Sequence, residues 1–576
     1  MPTAASATPN TRTIRLMVLA LLTALVMAVL PAAPGAGGTA SDGRGVSVIV
    51  RTSPGAGGQV EALVGRLGGV VGRRIAIIDG FAATVPASAL ARLQGAAELV
   101  SVTPNQPVRL QTFNGDFDPE RDFGSLFRAA RVLDAEKAWD HGLTGRGVDV
   151  ALLDSGVAPV MGLDAPGKIV NAVDVSTEAA HPGVAYLDGY GHGTHMAGII
   201  AGRDPEVIAG REKDDKRNFV GMAPDARIVN VKAADTSGAT DVSQVLAGID
   251  WVVQHRTSDG LNIRVLNLSF GTDGTQDYRL DPLAYAVEVA WRKGIFVVVS
   301  AGNRGYGSSK LNNPATDPYV LAVGASNPNN TDKVDDDTVP SWSSRGDATR
   351  GVDLVAPGKS IIGLRVPGSA IDATAPQGRV GQRYSRGSGT SQAAAVVSGA
   401  AALLLQQRPT LTPDQLKALL VSTARPLKKA TATEQGQGML AVEAARAAKT
   451  PASATQTWLT ATGTGSLELA RGTAHLTDTD GVALTGEQDM FGDAWDGRMW
   501  SGRMWSGDSW TAEGWLGRMW SGRMWSGDSW TGRMWSGRMW SGDTWSGRMW
   551  SGNAWSSVQW GGDQDPLVPL SEITSP

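Results

Sequence analysis

The spacing of apolar residues changes several times along the chain, and each change marks a segment. Residues 44–110 begin with the alternation VSVIV, pass through a helical stretch around GQVEALVGRLGG and end in AIIDGFAATV and LVSVTPNQPVRL. This order predicts a small α+β unit with two helices on a short sheet. From about 130 to 425, short strand-like apolar runs alternate with amphipathic helical stretches, the order that builds a parallel sheet covered by helices. Strands are predicted at Val148 to Leu153, Arg227 to Val231, Val265 to Ser269, Ile295 to Ser300 and Val320 to Val323. Between them Val242, Val245, Leu246, Ile249, Val252 and Val253 recur at helical spacing, and a further helix stops at Gly294. TPDQ at 412–415 predicts another helix, with N-cap Thr412, Pro413 at its first position and Gln415 closing a capping box. At AAKTPASATQ the pattern lapses, which reads as the start of a linker and spacer over 446–492.

Composition narrows the chemistry. The 576 residues carry a formal net charge of −4, with no broad basic field, so nucleic acid is not expected as a partner. The absence of cysteine excludes a disulfide framework, thiol catalysis and Cys-ligated zinc. Arg12 and Arg15 precede an apolar run of 15 residues, Leu16 to Leu30, and then the small-residue stretch PAAPGAGGTA. That is the order of parts of a signal peptide over 1–40, and the run is shorter than the roughly 20 residues that span a bilayer. Secretion is the expectation.

Four short motifs bear reactive side chains. Asp154 directly follows VDVALL, at the carboxyl end of a predicted strand where ligand sites gather in open α/β sheets. GHGTHMAG sets His192 and His195 at the start of a predicted helix. Without the i, i+4 pair and intervening Glu of a HExxH site, they suit a base histidine better than a metal. SGTSQAAAVVSGAAALLLQ places Ser391 at the head of a small-residue helix whose dipole favours developing negative charge. IFVVVSAGNRG puts Asn303 just beyond another strand, where an amide can donate to an oxyanion. Singly, each has an ordinary structural reading: a turn aspartate, a structural histidine, a serine N-cap, a turn asparagine.

Together, in the order Asp, His, Asn, Ser, the motifs DSGV, GHGTHMAG, AGN and GTSQA resemble the signatures of the subtilisin-like serine proteases, or subtilases. The resemblance covers about 130–425 and extends to GMAPDARI, LNLSFG and LVAPG. It implies an α/β catalytic domain over 112–445 in which Asp154 orients His192, His192 is general base then acid, Ser391 attacks and Asn303 helps hold the oxyanion. His195 is then structural. It further implies that Ser269, Phe270 and Gly271 line the substrate cleft, that the Gly238 segment pairs with the substrate as an added strand, and that Arg304 sits at the rim of the pocket for the residue before the scissile bond. Residues 41–111 resemble the ferredoxin-like subtilase propeptide, an inhibitor and folding aid. No cofactor is needed for such chemistry. The charged insert at 203–218 replaces a loop that often binds calcium in the family, which leaves room for a structural calcium through Asp214 and Asp215 with no ligand set assigned. Gln392 and Ala395 stand where the family usually has Met and Pro.

From Trp495 to Trp560 a tryptophan recurs every five residues, fourteen in all, within a segment taken as 493–576. Positions five apart share no face in a strand or a helix, so alignment of the indoles needs a solenoid whose turn is a multiple of five residues. A turn of twenty residues is electrostatically easier than one of fifteen. The alternative is a Gly/Ser-rich tail that binds aromatic or anionic material. Two functions stay open: a secreted endopeptidase whose repeat attaches it to cell wall or polysaccharide, and a surface adhesin in which the protease-like domain is a scaffold.

Overall fold

The computed structural model describes residues 45–105, 117–179, 183–305, 311–478, 482–490 and 494–495, with the backbone of four two-residue strands further on. The leader at 1–40 lies outside the described residues. The chain divides into two compact units, Met1–Gln111 and Thr112–Pro576.

In the first unit β1 (Gly45–Thr52), β2 (Val70–Ile75), β3 (Gly80–Pro86) and β4 (Leu99–Pro104) form an antiparallel sheet in the order β2-β3-β1-β4. The alternation of β1 turns Val48 and Val50 inward, where they meet Val60 and Val64 of helix α1 (Gly57–Arg66) together with Phe81 and Val85. A short helix, α2 (Leu90–Gln94), adds Leu93 to this core. The strand order and the alternation of elements are those of a ferredoxin-like βαββαβ unit.

The second unit is built on seven parallel strands in the order β11-β10-β9-β8-β5-β7-β6. They are β5 (Asp149–Asp154), β6 (Ile169–Asp174), β7 (Arg227–Lys232), β8 (Ile263–Leu268), β9 (Phe296–Ser300), β10 (Leu321–Ser326) and β11 (Leu354–Pro357). Strand β5 is buried along its whole length, as is β9, which explains their unbroken apolar runs. The strand order reverses beside β5, so the chain leaves the sheet on opposite sides there and opens a crevice at the carboxyl ends of β5 and β8. The predicted helices form over Val242–Gln254, Pro282–Arg292 and Pro413–Thr423, the last with the Thr412–Gln415 capping box in place. Two strands at the sheet edges, β6 and β11, escaped the periodicity reading, because β6 is only partly buried and β11 has four residues.

The long helix Thr390–Gln407 is buried from Thr390 to Leu405 and lies against β8, β9 and β10. Its small residues permit that approach: a Cβ on Gly399 would fall 2.5 Å from the Cβ of Met222.

Within the segment expected as linker and spacer, 446–492, the described residues 446–478 and 482–490 are instead part of the second unit's packing. The hydroxyls of Tyr319 and Tyr278 donate to the carbonyls of Trp458 and Leu459 at 2.7 and 3.0 Å, and the Ala461 amide donates to Glu288 at 2.8 Å. A helical turn, Leu467–Arg471, buries Leu467, Ala470 and Arg471. Leu476, Leu484 and Met490 make a small core with Ala239, and Trp495 is buried with its indole N–H donating to Gly465 O at 3.0 Å. These apolar residues are scattered among Gly, Thr and Asp without a helical or strand period, so no local pattern announced their burial.

The tryptophan repeat lies outside the described residues apart from Trp495 and the short strand backbones. Among these, Ser529–Trp530 pairs in parallel with Thr544–Trp545, an offset of 545 − 530 = 15 residues rather than the twenty expected on charge. That offset sets Ser529 beside Thr544 and Trp530 beside Trp545, so like residues pair with like. Trp550–Ser551 and Gln559–Trp560 pair antiparallel with Thr477–Asp478 and Gly387–Ser388.

Candidate active site

Asp154 is the last residue of β5 and His192 the first of the helix His192–Ala201; both are buried. The His192 Nδ1 donates to Asp154 Oδ1 at 2.7 Å, and the Ser155 amide donates to the same oxygen at 2.8 Å. A carboxylate at Nδ1 selects the tautomer with its proton there and leaves the Nε2 lone pair as the acceptor. The helix start approaches the loop after β5 so closely that a Cβ on Gly193 would lie 2.1 Å from Gly156 O, which accounts for the glycine in HGTH.

Asp188, which the sequence reading passed over, organises this corner. Its Oδ1 accepts from Gly191 N at 2.6 Å and from Ser155 Oγ at 2.9 Å, its Oδ2 from Thr194 N at 2.7 Å. Burial pushes its carboxyl above the usual range, against the pull of these donors. Its position just ahead of a helix start was a capping signal available in the sequence.

The two histidines have different settings. His195 is buried with its Nδ1 3.3 Å from Ser385 Oγ, and its ring fills the space a Cβ on Gly363 would need. Burial, and then the neighbouring His192, push it down to about 3, so it is neutral at ordinary pH.

Ser391 is the second residue of the helix Thr390–Gln407. Its Oγ makes a long contact of 3.4 Å to Ser269 O, just past β8. The same helix is fastened to β8 lower down, where Ser398 Oγ donates to Asn267 Oδ1 at 2.9 Å and Asn267 Nδ2 donates to Ser269 Oγ at 2.9 Å. The helices that carry His192 and Ser391 pack against each other.

Asn303 stands three residues beyond β9. Its Oδ1 accepts from Thr390 N at 2.9 Å and Thr390 Oγ1 at 3.0 Å, and Thr390 Oγ1 in turn accepts from Gly302 N at 3.1 Å. The amide is therefore held with its oxygen toward the helix start, while Nδ2 is buried without a hydrogen-bond partner among the described residues. A buried donor costs free energy unless something pairs with it, and this one is locked beside Ser391.

The expected cleft residues divide. Ser269 reaches Ser391, and Gly271 is half-buried, but the Phe270 side chain lies in the main core and offers no side-chain surface to a cleft. The Gly238 segment is a tight turn: Gly238 N donates to Asp235 O, and the amides of Ser237 and Ala239 donate to Asp235 Oδ1, at 2.9, 2.9 and 3.0 Å. Those N–H groups are already used, so an added strand has fewer free groups there than expected. Arg304 is not a free cation at a rim, since its Nη1 pairs with Asp273 at 3.2 Å and its Nη2 donates to Asn312 at 2.8 Å. Asp215 accepts from Arg217 N, Asn218 N and Asn218 Nδ2 at 3.0, 3.0 and 2.9 Å, and Asp214 is exposed. Among the described residues no three His, Asp or Glu side chains gather as metal ligands.

A doubly wound parallel sheet with an Asp–His pair at one strand end and a helix-borne serine beside a locked amide defines an α/β hydrolytic site of the serine type. The chain belongs to the subtilase family, whose pattern matches residues 145–441. It is 39% identical over 284 residues to the serine protease AprX of Bacillus subtilis, covering 48% of this chain and 61% of that protein. It is 32% identical over 313 residues to subtilisin Savinase of Lederbergia lenta, covering 54% of this chain and 96% of that protein. With the minor extracellular protease Epr of Bacillus subtilis it shares 33% identity over 285 residues, and here the chain spans 36% of the relative's length.

Proposed function

We propose that the chain is a secreted serine endopeptidase that hydrolyses peptide bonds through an acyl-enzyme on Ser391. The His192 Nε2 takes the proton of Ser391 Oγ as that oxygen attacks the substrate carbonyl, and Asp154 stabilises the imidazolium. The oxyanion forms beside Asn303 Nδ2, and the helix dipole at Thr390 adds to its stabilisation. His192 then gives its proton to the leaving amine, and water reverses the sequence to release the acid. The observation that carries this reading is the orientation of Asn303, whose oxygen is tied to Thr390 while its buried amide nitrogen is left to a ligand.

The ferredoxin-like topology of 45–105 supports a propeptide that assists folding and is removed by self-processing, and the leader pattern supports export. The tryptophan repeat, with indoles interleaved by arginines, suits attachment to cell-wall polymer through many weak contacts. Hydrolysis of denatured casein by the wild type and its loss in Ser391→Ala is the expected result; equal rates would overturn the reading. Asn303→Ala should cost about 3 kcal/mol in the barrier, the magnitude known for the corresponding subtilisin amide.

A further inference from the structure

Two described arms, residues 467–478 and 482–490, here called the strap, touch both sides of the region in which the peptide is read to lie, and this rests on the protease reading above. On one side is the segment Gly238–Asp241, leading into the helix Val242–Gln254; on the other is Thr272–Gly274, which follows Gly271. Arg471 is fully buried and donates from Nε to Asp241 Oδ2 at 2.6 Å and from Nη2 to Asp241 Oδ1 at 3.3 Å. Its remaining N–H groups donate to the carbonyls of Gly486 (2.9 Å) and Gln488 and to Glu468 Oε2 (3.4 Å), so one guanidinium ties the helix start to both arms of the strap. Met490 N donates to Ser243 Oγ at 3.2 Å, and the Ala239 side chain is covered by the small core with Leu476, Leu484 and Met490.

The next residues grip the other side. Thr272 Oγ1 donates to Ala470 O, while Thr473 donates to Asp273 from its amide at 2.6 Å and from its hydroxyl at 2.5 Å. Asp273 also holds Arg304, the neighbour of Asn303. A continuous polar path thus runs from Asp241 through Arg471 and the strap to Asp273 and Arg304. A planar, multiply bonded guanidinium fixes distance and direction together, which a simple apolar cover does not.

We infer that this strap is a brace that sets the spacing of the two cleft edges, with Arg471 and Thr473 as positioning residues that determine how well the enzyme reads the acyl side of an extended peptide. A substrate that occupies only the bond-breaking end should be indifferent to the brace. A longer peptide, which runs along both edges at once, should depend on it. Neither residue touches the reacting atoms.

The test compares full-length, processed enzyme on two soluble substrates with the same residue before the scissile bond and the same leaving group, one with a single acyl-side residue and one with four. Wild type should hydrolyse both and Ser391→Ala neither; a wild type inactive on both would fell the protease reading and the brace with it. In Arg471→Met the KM for the longer substrate should rise about fivefold to tenfold, the worth of about one hydrogen bond, with kcat/KM on the short substrate changed less than about twofold. Arg471→Lys should recover part of the loss. Thr473→Val, at an exposed position where folding is not at stake, should move the same ratio in the same direction by less. Proportional loss on both substrates in Arg471→Met, or an unchanged long-to-short ratio in Thr473→Val, would overturn the brace while leaving the protease reading intact.

Discussion

Arg471 and Asp241 lie 230 residues apart in the chain and meet as a buried ion pair at 2.6 Å, with neither side chain exposed. Burial by itself would push the Asp241 carboxyl up, but Arg471 and the Ser243 hydroxyl and amide outweigh it and hold the carboxyl below its usual range. The pair makes the strap part of the second unit's stability. Ending the chain near Ala454 should therefore open Asp241 and Ala239 to water and lower the stability by about 2–4 kcal/mol through lost packing and pairing. Ending it after Trp495 keeps the Arg471–Asp241 pair and the small core around Ala239, and should cost less. Denaturant titration of the two truncations in a Ser391→Ala background checks this; equal stability would refute it.

His195 predicts a pH dependence of stability. Its folded value is pushed down to about 3, below the ordinary 6.5, so the unfolded chain takes up a proton that the folded chain refuses. Stability from this residue is complete above about 6.5 and declines as pH falls toward 3, at about 1.4 kcal/mol per pH unit. In Ser391→Ala the additional change His195→Gln should flatten the slope measured between pH 4.5 and 6.5 by about one proton. An unaltered slope would mean that another group titrates.

Gln392 is fully buried, and neither its Oε1 nor its Nε2 has a hydrogen-bond partner among the described residues. Gln392→Met should raise the stability by about 1 kcal/mol, because it removes unpaired polar atoms at nearly constant volume. It should also make the enzyme sensitive to dilute peroxide, since a sulfoxide beside Ser391 adds bulk and polarity where the wild type has nothing to oxidise. Thermal melts and residual activity after peroxide treatment read the two effects; rapid oxidative loss in the wild type would contradict the second.

Arg304 should count for little in choosing the residue before the scissile bond. Its charge is shared with Asp273 and it is exposed enough to be screened, so Arg304→Gln should alter the ratio of acidic to basic cleavage in a peptide library by less than about threefold. A larger change would return the arginine to the role its neighbourhood to Asn303 suggested.

The catalytic candidates were legible because each is carried on a short motif whose residues are local neighbours as well as functional ones. The glycine of HGTH exists because the helix start abuts Gly156 O, and the apolar run ending at Asp154 exists because β5 is buried along its length. The helix cap at Thr412 was written in residues three positions apart and formed as local chemistry dictates. The charge pairings that failed to show depended on contacts between residues distant in the chain. Arg471 carries no local signal that it will be buried on Asp241, and Arg304, expected at a pocket rim, proves to be held by Asp273. The turn at Gly238 closed on Asp235 and the Phe270 ring went into the core, neither of which alters the local pattern that suggested a cleft. Sequence by itself determined the family and the central strands and helices, and nominated the reacting groups, since these rest on motif, periodicity and adjacency. Only the tertiary structure decided which charges are paired and that residues 455–478 and 482–490 belong to the second unit, because a buried partner is specified by geometry and not by its distance along the chain.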